Sequence, residues 1–217
     1  MMRIAGLLGV VGALMAFAFP VVFGAMDPAY DASRDYISEL GATGAPNAAA
    51  VNGFGFLPTG IVLSLFAMAG WAVLPRSAGS FVGFVGILFF AAGYVGAAFF
   101  ACDAGCRPSE PSFNQTMHSL FGLPGYFTAP VFMASLAIAA RGWPGGGWLS
   151  LVAGLGTVAT AVGLASFLPD SPQSGFWQRV LEAGVLTWIL ACGCYLLTRG
   201  NRLESRRASI DLPVRRE

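Results

Sequence analysis

Residues Phe81 to Ala101 read FVGFVGILFFAAGYVGAAFFA, an apolar run without a charged side chain. A helix of roughly 20 such residues is what a ~30 Å hydrocarbon layer requires. Five further runs have the same character: Ile4 to Ala25, Gly53 to Leu74, Leu120 to Ala140, Trp148 to Leu168 and Val180 to Thr198. Only the last carries a charge, Glu182, close to its start, so lipid imposes no buried-charge cost in the middle of any run. All six exceed the ~10 residues of a membrane strand and lack its alternation. In hydrocarbon only helices and closed barrels satisfy their backbone groups. The expected fold is all-α, a polytopic bundle of six transmembrane helices occupying residues 1–198.

Composition points the same way. Hydrophobic residues make up 56% of the 217 and charged residues 11%, against about 25% charged in an average soluble domain. A net charge of +1 offers no basic face, which excludes nucleic acid as a partner. Lysine is absent and all twelve positive charges are Arg. With the abundant Ala and Gly, this suggests a bacterium with GC-rich DNA.

The distribution of Arg sets the expected orientation, because positively charged loops resist translocation. Arg3, Arg76, Arg141, Arg199, Arg202, Arg206, Arg207, Arg215 and Arg216 flank one side; Arg34, Arg107 and Arg179 flank the other. Both termini are therefore expected in the cytoplasm, in a plasma-membrane protein whose 199–217 segment is an Arg-rich, disordered cytoplasmic tail. The first run follows Met1-Met2-Arg3 but is too long for a signal-peptide core of 7–15 residues and lacks an A-x-A site, so it is read as a helix. Connections on the cytoplasmic side are short. The three outer ones, 26–52, 102–119 and 169–179, are long, and any specific recognition is expected there. Glycines such as Gly6, Gly9, Gly12, Gly79, Gly83, Gly86, Gly154, Gly156 and Gly163 are read as points where helix backbones approach closely.

The first outer loop contains Arg34-Asp35-Tyr36-Ile37-Ser38-Glu39-Leu40-Gly41, which reads either as a short structured element with a ligand-binding role or as a solvated interfacial loop. In the second, Cys102 and Cys106 suggest a local disulfide on the oxidising side. Zinc held by Cys102, Cys106, His118 and an Asp satisfies the element count, but a single His and no second ligand pair argue against it, and no metal or cofactor is assigned. His118, the only histidine, would titrate near neutrality. Ser38, His118 and Asp103 together supply the residue types of nucleophilic catalysis, although no nucleophile-elbow pattern surrounds Ser38. In the third loop Arg179 and Glu182 are three apart and share a helical face, where they would pair with each other or hold a phosphate or carboxylate headgroup.

Three of these stretches, Arg34 to Gly41, Cys102-Asp103-Ala104-Gly105-Cys106 with His118, and Gly175-Phe176-Trp177-Gln178-Arg179, resemble domain-of-unknown-function family 998 over nearly the whole chain apart from the tail. The resemblance implies a prokaryotic six-helix membrane protein and no reaction. A fainter likeness, through Tyr36 to Gly41, is to the Frag1, DRAM and Sfk1 group of six-helix membrane proteins, linked to lipid distribution and membrane trafficking.

The leading expectation is a non-enzymatic membrane protein in contact with membrane lipids. Its extracytoplasmic cluster of Arg34, Asp35, Ser38, Glu39, Asp103, His118, Arg179 and Glu182 would recognise a lipid headgroup or small polar ligand. The alternatives are a membrane-embedded hydrolase using His118 with an acidic partner, and a transporter, which the lack of ionisable groups at mid-membrane disfavours.

Overall fold

A computed structural model describes residues 1–167 and 171–210, the stretch from 200 onward as helix backbone. It is all-helical, with no strand among the described residues. Six helices are long and apolar enough to cross a membrane: α1 (Met2–Ala25), α2 (Ala48–Val73), α3 (Ala78–Phe99), α4 (Phe113–Arg141), α5 (Gly147–Ser166) and α6 (Ser174–Ile210), the last by its Ser174–Arg199 portion. Two 3-10 turns, Ile37–Gly41 and Ala104–Cys106, lie in the first and second long loops.

Three helices start five or more residues earlier than the apolar runs suggest. α4 begins at Phe113 because Ser112 caps it, its hydroxyl accepting the Gln115 N–H at 3.1 Å. Its first two turns, FNQTMHS, are polar on one face and invisible to a search for unbroken hydrophobicity. α2 begins at Ala48 and passes through a π-helical turn, Val51–Phe56, before settling into α-helix. α6 begins at Ser174 and continues to Ile210, through the first part of the segment expected to be a disordered tail. The rest of that tail, 211–217, and the expected end of the fifth run at 168 lie outside the described residues.

Each helix packs on its neighbours in the chain, and α6 closes the ring against α1. The interior is filled by Phe66, Phe90, Phe132, Met133, Leu136 and Trp188, all essentially inaccessible. The outward faces carry large apolar side chains: Leu120, Phe127, Val131 and Ile138 on α4, and Leu151, Leu155 and Val158 on α5, are each more than 60% exposed. An apolar mantle of that extent is a liability in water and the ordinary surface of a helix in lipid.

Glycines set how close the helices come. A Cβ at Gly193 of α6 would stand 2.8 Å from the Val10 nitrogen and 2.9 Å from the Gly6 carbonyl of α1. Gly156 and Gly184 face each other across α5 and α6, where a Cβ on either meets the other's carbonyl at 2.7 and 3.0 Å. Backbone on both sides of a crossing leaves nothing that can rotate away, and only Gly fits. Gly154, by contrast, faces open space.

Candidate functional site

The three long loops meet at one end of the ring, and the start of α6 is where they are tied together. The N–H groups of Gly175 and Phe176 donate to the carbonyls of Arg34 at 3.2 Å and Ser33 at 2.8 Å. Donors that a helix N-terminus normally leaves unsatisfied are thus met by the first loop. The approach is so close that a Cβ on Gly175 would overlap the Asp35 carbonyl and lie 2.8 Å from that of Ala32. Arg179, one turn further on, donates to the Asp35 carbonyl at 3.1 Å and to the Tyr30 hydroxyl. Burial pushes the Tyr30 phenol up to about 12, the nearby Arg179 guanidinium opposing it.

Arg34 and Asp35 pair side by side, with contacts of 2.7 and 3.0 Å. Partial burial raises the Asp35 carboxyl, but the hydrogen bond from Arg34 and the Asp31 N–H outweigh it and hold the group below the ordinary range. Asp31 is lowered by the Ser33 hydroxyl and N–H.

The second loop joins through Arg107. Its guanidinium bonds Glu39 at 3.0 Å and Ser174 at 3.3 Å, and lies 4.4 Å above the Tyr36 ring. Glu39 also accepts the Tyr36 N–H at 3.0 Å, closing the first turn of Ile37–Gly41. Asp103 spends both carboxylate oxygens on Ser112, at 2.6 and 2.9 Å, which keeps its acid form disfavoured. The sulfurs of Cys102 and Cys106 are within bonding distance, with Cα atoms 5.0 Å apart, across a turn made by Gly105 at φ +73°.

These carboxylates yield a pH prediction with a definite sign. A folded-state pKa below the free value contributes stability that is complete above that value and drains away as pH falls through the folded one. With Asp31, Asp35 and Asp103 all depressed from 3.8, the protection factors of amides over 30–41, corrected for the intrinsic pH dependence of exchange, are expected to stay constant from neutrality to about pH 5 and to fall below about pH 4. Asp35→Asn should flatten that acid limb; an unchanged limb would mean Asp35 does not hold the loop.

Beneath this roof is a cavity of about 520 Å³ walled by Phe56 of α2, by α3, α4 and the start of α6, by the Ile37–Gly41 turn, by second-loop residues including Arg107, and by Phe167. Of the residues expected to form a site, Ser38, His118 and Glu182 line it; Arg34, Asp35, Glu39, Asp103 and Arg179 stand outside and hold the loops. The cluster anticipated as one recognition surface is therefore two structures, a latch and a cavity. Glu182 does not pair with Arg179 and is not an outer-surface acid. It sits two turns inside α6, about 12 Å along the helix from Ser174, and is only 5% exposed.

Its carboxylate accepts the Tyr94 hydroxyl at 2.7 Å on one oxygen and the Tyr126 hydroxyl on the other. Gln178, one turn earlier on the same face, donates to Tyr126 at 2.8 Å and accepts the Ile37 N–H at 2.8 Å. One chain of hydrogen bonds thus runs from the roof to the buried acid. Tyr94, Tyr126, Gln178 and Gln115 are the lining residues that sequence reasoning missed. Aromatic residues inside apolar runs read as core, and only the i, i+4 spacing of Gln178 and Glu182 signalled a polar face turned inward.

His118 lies in the second turn of α4, its Nδ1 2.9 Å from the Phe100 carbonyl. Ser38 Oγ sits 3.4 Å from the Cys106 sulfur. No hydrogen bond among the described residues joins Ser38, His118 and Asp103, and no group of three metal-ligating side chains occurs among them.

Six membrane-length helices closed into a ring, with an amphipathic cavity under the loops at one end, define the class: a multi-pass helical bundle of membrane type. The chain belongs to the family described as a protein of unknown function, DUF998, whose family model matches residues 10–195 and so takes in the latch and the cavity. No curated protein and no solved structure matches the chain.

Proposed function

We propose that this protein is a plasma-membrane binding protein with both termini in the cytoplasm. It holds an amphipathic ligand, a membrane lipid or a molecule shaped like one, in the cavity at its extracytoplasmic end. The observation that carries the reading is the make-up of the cavity. Phe56, Phe90 and Leu123 supply apolar wall, while Gln115, His118 and Glu182 supply polar groups, within a volume at the lower-middle of the 300–1,000 Å³ typical of ligand sites. The Arg asymmetry of the loops supports the sidedness, and an oxidised Cys102–Cys106 pair would fit it. Binding is favoured over hydrolysis because Asp103 is bonded to Ser112 and Ser38 lies against the Cys106 sulfur, so neither is joined to His118.

Gly122 lines the cavity and a Cβ there meets nothing within 4 Å. Gly122→Phe is therefore expected to fold and to fill the cavity. Native mass spectrometry on protein released from lipid nanodiscs should show a retained amphiphile in the parent and at least a tenfold loss of it in the variant. Equal retention by both would place the ligand elsewhere. A reporter fused after Glu217 should be active in the cytoplasm; activity outside would reverse the sidedness.

A further inference from the structure

The walls of the cavity form a connected series of rings around an acid. Taken in order, Phe56, Tyr94, Phe90, Tyr126, Phe167 and Tyr36 all line the cavity. Successive centroids are 5.9, 5.5, 6.3, 5.8 and 5.0 Å apart. Two of these rings, Tyr94 and Tyr126, donate their hydroxyls to Glu182. Among the described residues no cationic side chain reaches salt-bridge distance of that carboxylate. Arg179, three residues away, is turned to Tyr30 and Asp35, and Arg107 at the mouth is bonded to Glu39.

Buried carboxylates ordinarily have a countercharge, since removing one from water costs several kcal/mol that hydroxyl donors offset only in part. Here the place for the countercharge is the cavity itself. We propose that the cavity takes an organic ammonium group, with Glu182 as the countercharge and the surrounding aromatic faces as its cage. Ring faces carry negative potential and attract a cation within about 6 Å of the centroid, most strongly when water is excluded. Tyr36, at the end of the series, already shows the preference: the Arg107 guanidinium rests 4.4 Å above it.

His118 and the groups bonded to Glu182 agree in sign. With one nitrogen of His118 donating to the Phe100 carbonyl, the other nitrogen of the neutral ring is an acceptor. One Gln178 amide N–H and both tyrosine hydroxyls are consumed by internal acceptors, so the donors beside the buried acid are spent, and the cationic lining residue, Arg107, is bonded to Glu39. An ammonium needs only negative potential and acceptors, and an alkyl substituent on it fits the apolar wall. This deepens the amphipathic-ligand reading and rests on it. The same ammonium chemistry is offered by the headgroup of an ethanolamine lipid and by a free alkylammonium amphiphile.

Protein in maltoside micelles is titrated with hexyltrimethylammonium, hexyl sulfate and hexyl glucoside, which share a chain and differ in head charge. Thermal stabilisation is the readout. The ammonium should act at concentrations at least tenfold below the other two, and Glu182→Gln, which keeps shape and removes charge, should abolish that preference. If Glu182→Gln does not fold, Phe167→Leu decides. It removes one cage wall at the end of α5 and should weaken the ammonium at least threefold while leaving hexyl glucoside unchanged. Displacement of the probe by phosphatidylethanolamine supports the inference with a lipid as source; binding without displacement supports it with a free amphiphile as source. Equal potency of the three probes, or a preference that survives in Glu182→Gln, overturns the ammonium assignment and leaves the amphipathic cavity standing. No binding by any probe, with Gly122→Phe indistinguishable from the parent, removes both.

Discussion

Gly193→Leu is expected to unfold the bundle at a temperature roughly 10 °C below the parent, or to prevent its isolation. The new Cβ would stand 2.8 Å from the Val10 nitrogen and 2.9 Å from the Gly6 carbonyl, and both obstacles are backbone. Overpacking against movable side chains costs about 1–3 kcal/mol, and against two main chains the cost belongs at or above the top of that range. For a chain of this size each kcal/mol moves the midpoint by about 2–4 °C. Gly154→Leu is the control, since its Cβ meets nothing within 4 Å and its side chain would extend outward; it should shift the midpoint by no more than about 2 °C. Thermal unfolding monitored by size-exclusion chromatography in detergent checks both. A Gly193→Leu protein that melts with the parent would mean that α6 and α1 do not close the ring at that crossing.

The second large effect is local. Gly175→Val puts a branched side chain where the Asp35 carbonyl sits, so the first loop must leave the start of α6. That loses the Gly175 and Phe176 hydrogen bonds together and draws Ile37 away from Gln178. Amide exchange over residues 30–41 should rise at least tenfold, equivalent to about 1.4 kcal/mol of lost local stability. The rest of the bundle should melt within a few degrees of the parent. Ligand retention should fall with the roof, because Tyr36 and Ser38 belong both to the loop and to the cavity wall. Unchanged exchange over 30–41 would show that the loop is held by something other than this contact.

The parts of the molecule legible in the sequence are those set by transfer energy. Six unbroken apolar runs, each long enough to span, became six helices because nothing in such a run is satisfied any other way. Gly6, Gly9 and Gly156 were readable as close-approach points for the same reason, but Gly154, read the same way because its surroundings in the chain are the same, faces outward. Helix starts were less legible. The polar first turns of α4 depend on Ser112 and on Asp103 holding it, which are contacts rather than hydropathy. The site was legible in composition and not in arrangement. Arg34, Asp35, Arg179 and Glu182 were read as one charged surface, yet Arg179 and Glu182, only about 60° apart around α6, diverge because loop carbonyls claim one side chain while two tyrosines claim the other. Tyr94 and Tyr126 belong to different apolar runs, and only the ring of helices brings them to the same acid.

That ring also dictates an order of events during synthesis. The sixth helix to leave the ribosome supplies both the closing wall and, through Glu182, the acceptor for hydroxyls carried on the third and fourth. Until it inserts, Tyr94 and Tyr126 face a gap in the half-built barrel without the carboxylate that satisfies them. A chain cut short before Ser174 is thus left not with a weakened bundle but with an open seam between its first and fifth helices, exposed to membrane quality control.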